Sequence, residues 1–170
     1  IARDHFGKAA GVIAAWLIAF MPAHVTHSTW GLADHDSFVM LFIAIGFMFY
    51  LRAVKYAGSE RLVRTTSIRP FDMLRAMGAV ARERQYAMAN AVLAGVAFGA
   101  ASLGWKGFVV GPAILFLAYA AQVALNMFRR RDSTILSTLF LTMLLTNLLI
   151  ALPFYAHPQM NLMLDGSGLQ

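Results

Sequence analysis

Five apolar runs separated by short polar or basic segments constrain this chain more than anything else in it. They fall at residues 9–25, 38–56, 86–103, 108–128 and 134–156, and each approaches the roughly 20 residues that an α-helix needs to cross the hydrocarbon core of a bilayer. A chain of 170 residues that is 59% hydrophobic and only 13% charged has too little polar surface to hide such runs in a water-soluble core. The expected fold is all-α, a polytopic membrane protein of about five transmembrane helices forming a single transmembrane domain. Where backbone amides have no water to bond, the helix supplies the partner internally, and nothing in these runs alternates as a strand would.

Basic residues set the expected topology. Of the 14 Lys and Arg residues, Arg3 and Lys8 precede the first run, eight lie from Arg52 to Arg84, three form Arg129-Arg130-Arg131, and Lys106 stands alone. Placing the N-terminus in the cytoplasm puts all but Lys106 on the cytoplasmic side, as the positive-inside rule requires. Residues 57–85 then form a basic cytoplasmic connection. Pro70 followed by Phe71, Leu74, Met77 and Val80 at helical spacing predicts a short amphipathic helix at the membrane interface there. The net charge of +6 is distributed as topology signals and contacts to membrane lipids, not as a nucleic-acid patch, so no nucleic-acid partner is expected. Without cysteine there is no disulfide, thiolate ligand or Cys nucleophile. No secretory signal is read ahead of the first run, and the initial Ile1 fits an internal piece of a longer protein.

Polar residues inside the runs have packing roles to fill. Ala91, Gly95 and Gly99 make a small-residue ridge on which a neighbouring helix can approach closely. Gln122 and Asn126, four apart, and Asn147 are expected to hydrogen-bond between helices, with substrate lining as the alternative. Gly104-Trp105-Lys106-Gly107 reads as a tight turn, and Pro153 and Pro158 are expected to end the last helix.

The chemistry concentrates between the first two runs. Residues 22–38 hold Asp34 and Asp36 out of eight acids and His24, His27 and His35 out of five histidines. No Lys or Arg occurs between Lys8 and Arg52, so this extracytoplasmic loop is acidic. Carboxylates one residue apart, where a loop turns into a helix, can hold a hard divalent cation through oxygen. Two alternatives stay open on the residues alone. Asp34 or Asp36 can cap the following helix, or the histidines with Asp34 can bind zinc or copper as in a metal-dependent membrane enzyme. Trp30 reads as an interface anchor or, with His27, as substrate lining.

Several segments carry a resemblance. The run Phe6-Gly7-Lys8-Ala9-Ala10-Gly11-Val12-Ile13-Ala14-Ala15, followed by Pro22, Ser28, Gly31 and Asp34-His35-Asp36 and by a helix ending Tyr50-Leu51-Arg52-Ala53-Val54-Lys55, resembles the catalytic subunit of oligosaccharyltransferases. Within that family it is most similar to the archaeal enzyme. The family pattern is a helix ending at Pro, a segment through Ser and Gly, and an acidic D-x-D or D-x-E in the second external loop. Downstream, Ala94-Gly95 through Gly104-Trp105-Lys106-Gly107 and Leu152-Pro153-Phe154 are similar to later parts of the same region. The resemblance implies transfer of a lipid-linked oligosaccharide to the Asn amide of an N-x-Ser/Thr sequon in an acceptor polypeptide. It gives Asp34 and Asp36 catalytic and Mn2+- or Mg2+-binding roles, with His35 beside them. Many relatives have Arg seven residues before the first acid, where this chain has His27. The family's other catalytic acids and its W-W-D-Y-G domain are not among these residues, so the expectation is a portion of the membrane region that needs the remainder of the enzyme, or other membrane subunits, for activity. The remaining alternative is a non-catalytic membrane subunit or transporter piece.

Overall fold

The computed structural model describes residues 1–20, 35–58, 78–104, 106–131 and 133–156. These residues form α1 (Ala2–Phe6), α2 (Lys8–Phe20), α3 (His35–Ala57), α4 (Gln85–Gly104), a 3-10 turn (Lys106–Val109), α5 (Val110–Phe128) and α6 (Thr134–Ala156), with a further helical stretch at 78–83. There is no strand among the described residues.

Four helical segments are long and apolar enough to cross a membrane: Phe38–Ala57, Gln85–Gly104, Gly107–Phe128 and Thr134–Ala156. The first apolar run is helical over Lys8–Phe20, whose 13 residues rise about 20 Å, short of a full crossing; the rest of that run, with Pro22, lies outside the described residues. Gly7, at φ +93°, separates α1 from α2 in a conformation that L side chains avoid. A Cβ on Gly11 would lie 2.6 Å from Arg3 Cβ, so the bare glycine lets α1 fold back on α2.

Glycine and alanine determine how the long helices meet. Phe98 of α4 is fully buried, and a Cβ on Gly46 of α3 or on Gly111 of α5 would each come within 2.8 Å of its ring. The ring is wedged between two bare backbones, and Phe47 meets it edge-on at 5.8 Å. Three helices therefore converge on one side chain. Near the other end of α3 and α4, Ala53, Ala57, Ala87 and Ala91 form an alanine cluster closed by Leu139 of α6. Gly104 at the end of α4 touches Val39 near the start of α3, so these two helices run antiparallel.

The expected ridge on α4 faces α6. A Cβ on Gly95 would stand 2.5 Å from the Met143 carbonyl oxygen, and one on Gly99 would stand 2.8 Å from Ile150 Cβ. Both pairs advance together along the two chains, so α4 and α6 run parallel. Tyr119 of α5 stacks on Phe140 of α6 at 4.4 Å, and its hydroxyl shares a 2.8 Å hydrogen bond with Ser137.

Three sequence expectations change in detail. Pro153 lies inside α6, which continues to Ala156, because a proline so near the end removes only one amide donor from a turn that is already finishing. Pro158 lies outside the described residues. Among the described residues Gln122 and Asn126 bond locally and not across helices: Gln122 Nε2 donates to Asn126 Oδ1 at 3.1 Å, and Asn126 Nδ2 donates to Ser133 Oγ at 3.1 Å, tying α5 to the turn that follows it. Asn147 is buried, but its amide oxygen, like the Tyr50 hydroxyl, has no hydrogen-bond partner among the described residues. Of the connection at 57–85, the helical stretch 78–83 is described, with Val80 buried; Pro70 to Met77 lie outside.

Candidate functional site at the acidic end of the bundle

The alternation of helix direction sorts the charges. The start of α3, the end of α4, the 3-10 turn, the start of α5 and the end of α6 share one end of the bundle. Arg52, Lys55, Arg82, Arg84 and Arg129 to Arg131 gather at the opposite end. On the first end, among the described residues between α3 and α6, the one Lys or Arg is Lys106, at the start of the 3-10 turn.

The acidic motif enters the bundle at this end. His35 and Asp36 are the first two residues of α3, and their side chains lie outside what the structure describes. His24, His27, Trp30 and Asp34 lie outside the described residues altogether. The backbone of Asp36 is helical near the described start of α3, and the N-terminal turn of a helix favours negative charge. Among the described residues no group of three His, Cys, Asp or Glu side chains converges.

The described start of α3 packs on a platform made by the ends of α4 and α6. Phe38 and Val39, within a turn of Asp36, abut Gly104, whose Cβ would sit 2.9 Å from Val39 Cγ2 and 3.2 Å from Phe38 Cδ1. A side chain at 104 would force the Val39 side chain to shift. Two residues before Gly104, Ser102 is fully buried and its hydroxyl donates to the Gly99 carbonyl at 2.6 Å. The Ser102 carbonyl accepts a 2.9 Å hydrogen bond from the Tyr155 hydroxyl. Phe108 of the 3-10 turn stacks on the Tyr155 ring at 6.2 Å, so one aromatic residue ties together the ends of α4 and α6 and the turn between α4 and α5. Sequence reading missed Tyr155; an aromatic hydroxyl two residues past an intrahelical proline was its only signal.

Tyr155→Phe tests this platform on its own. The stacking is kept and the interhelical bond lost, so unfolding of the detergent-solubilised protein should show a loss of about 0.6 kcal/mol, the average for such bonds in membranes.

What the arrangement offers is a membrane bundle whose described Lys and Arg residues between α3 and α6 gather at one end, Lys106 apart, with the backbone of His35 and Asp36 at the other. The family model described as "Oligosaccharyl transferase STT3, N-terminal" matches residues 1–165. No curated protein and no solved structure matches the chain.

Proposed function

We propose, from the premise that this chain belongs to the STT3 oligosaccharyltransferase family and is an integral part of its membrane region, that it carries the acidic loop of the transfer site. The reaction is transfer of an oligosaccharide from a dolichol-phosphate-type lipid to the amide nitrogen of Asn in an N-x-Ser/Thr sequon. The observation that carries this reading is the family match over residues 1–165, together with a bundle in which the helix bearing His35 and Asp36 packs antiparallel to α4. With the N-terminus cytoplasmic, the His35 end of that helix is extracytoplasmic, and the glycan is transferred there.

The donor set fits a hard cation. Asp34 and Asp36 supply carboxylate oxygens, with His35 between them, and the set offers no sulfur. The residues to hold Mn2+ or Mg2+ are therefore Asp34 and Asp36; such an ion, when bound, offsets negative charge on the lipid-linked phosphate. The chain's own groups have two further tasks. A helix N-terminus favours a negative charge placed beside it, and a carboxylate beside the acceptor can accept a hydrogen bond from the Asn amide and orient it. As the bond from nitrogen to the anomeric carbon forms, the bond from that carbon to the lipid phosphate oxygen breaks, the phosphate leaves with the electron pair, and the amide proton passes to a carboxylate beside it.

Chelation tests the metal assignment. In membranes containing the complete enzyme, EDTA is expected to bring transfer to a sequon peptide down to background, and Mg2+ or Mn2+ to restore it. Full activity in EDTA overturns the metal assignment, and restoration by Zn2+ or copper alone overturns the carboxylate site in favour of the imidazole one.

A further inference from the structure

The turn between α5 and α6 contains a residue that folding alone does not explain. Arg130 has φ +52°, the one positive φ outside glycine among the described residues. It sits in a complete helix-terminating motif: the Arg130 amide donates to the Met127 carbonyl at 3.1 Å, and the Arg131 amide to the Asn126 carbonyl at 2.8 Å. Glycine or asparagine is the residue that such a position favours, because a side chain in the left-handed region crowds its own backbone. Backbone strain kept at one point is grounds for asking what the side chain does there.

Its neighbours supply the second observation. Arg129, Arg130 and Arg131 are all exposed, and even counting Asp132 the turn carries a net charge of +2. Immediately before them Met127 and Phe128 are 73% and 88% exposed. The membrane span Gly107–Phe128 ends here, so this apolar pair lies at the depth of acyl chains while the guanidinium groups lie at the depth of headgroups. Asn126 helps to hold the turn by donating to Ser133. Apolar side chains stepping directly to three forked, phosphate-matching cations describe the outline of an anionic phospholipid: chains against Met127 and Phe128, phosphodiester against the arginines.

We infer that the α5–α6 turn is a binding site for an anionic phospholipid. A free phosphate would use the cations and leave the apolar pair idle; a lipid uses both. The site rests on the membrane-spanning architecture and not on the transfer chemistry, so the two readings fail independently.

The experiment is native mass spectrometry of the complete protein in detergent, titrated with phosphatidylglycerol or phosphatidylcholine, with unfolding temperature measured alongside. Phosphatidylglycerol should bind in preference, with about a fivefold loss of affinity for each arginine removed. Arg130→Gly is the informative variant, because glycine relieves the left-handed strain while deleting the charge. It should lower phosphatidylglycerol affinity about fivefold at an unchanged or higher unfolding temperature. Combined Arg129→Gln, Arg130→Gln and Arg131→Gln should erase the preference. Equal affinity for the two lipids overturns the inference, as does a preference that survives Arg130→Gly unchanged. Displacement by glycerol phosphate as readily as by the lipid also overturns it, since a free anion would then suffice.

Discussion

Asp34→Asn and Asp36→Asn, combined in the complete enzyme, are expected to lower glycan transfer roughly a thousandfold, which corresponds to the several kcal/mol that a Lewis-acid metal supplies to a reaction barrier. The choice of asparagine matters. As helix caps Asn and Asp are nearly equivalent, so the substitution keeps the capping hydrogen bonds and removes the charge, whose interaction with the helix dipole is worth under about 1 kcal/mol. If capping were their whole function, transfer would stay within about twofold of the parent and the unfolding temperature would move little. If they hold the cation, transfer collapses with the same small shift. Metal content of the purified variant supplies the second readout, and a variant that retains its Mn2+ or Mg2+ while losing activity would reassign the acids from metal binding to acceptor positioning.

The acidic motif stands out in the sequence because its signal is local: two carboxylates one residue apart, beside a long apolar run, with no Lys or Arg between Lys8 and Arg52; its side chains lie outside the described residues. The long helices were legible for the same reason, since hydropathy over some twenty residues needs no knowledge of neighbours. What sequence left hidden were contacts made between runs. Gly46 and Gly111 look like ordinary membrane glycines, yet they are the two faces between which Phe98 is wedged. Tyr155 becomes a tie only when α6 continues through Pro153 and lies parallel to α4, bringing its hydroxyl to Ser102. Gln122 and Asn126 carried the right chemistry but the wrong partner, because an i, i+4 pair can satisfy itself before it reaches another helix. The Gly95 ridge was read correctly, small side chains at helical spacing being a pattern that survives in one dimension.

That ridge carries the largest structural prediction. Gly95→Leu is expected to prevent recovery of folded protein, and Gly95→Ala to destabilise it by about 3 kcal/mol, the upper part of the usual range for overpacking. The size follows from what stands in the way. A Cβ at 95 meets the Met143 carbonyl oxygen at 2.5 Å and Thr146 Cβ at 2.6 Å, and neither a backbone oxygen nor a β-carbon can rotate aside. The axes of α4 and α6 must separate, which also loosens the Gly99–Ile150 contact and the Tyr155–Ser102 hydrogen bond one and two turns further on. Gly78→Ala is the matched control: no atom of the described residues lies within 4 Å of where its Cβ would stand, and alanine is the better helix former, so stability should hold or rise slightly. Size-exclusion profiles and unfolding temperatures of the three variants decide the matter. Gly95→Leu eluting as a folded species at the parent temperature would mean that α4 and α6 do not meet at glycine, and the platform beneath the acidic motif would then have to be held by α3 and α5 through Phe98 alone.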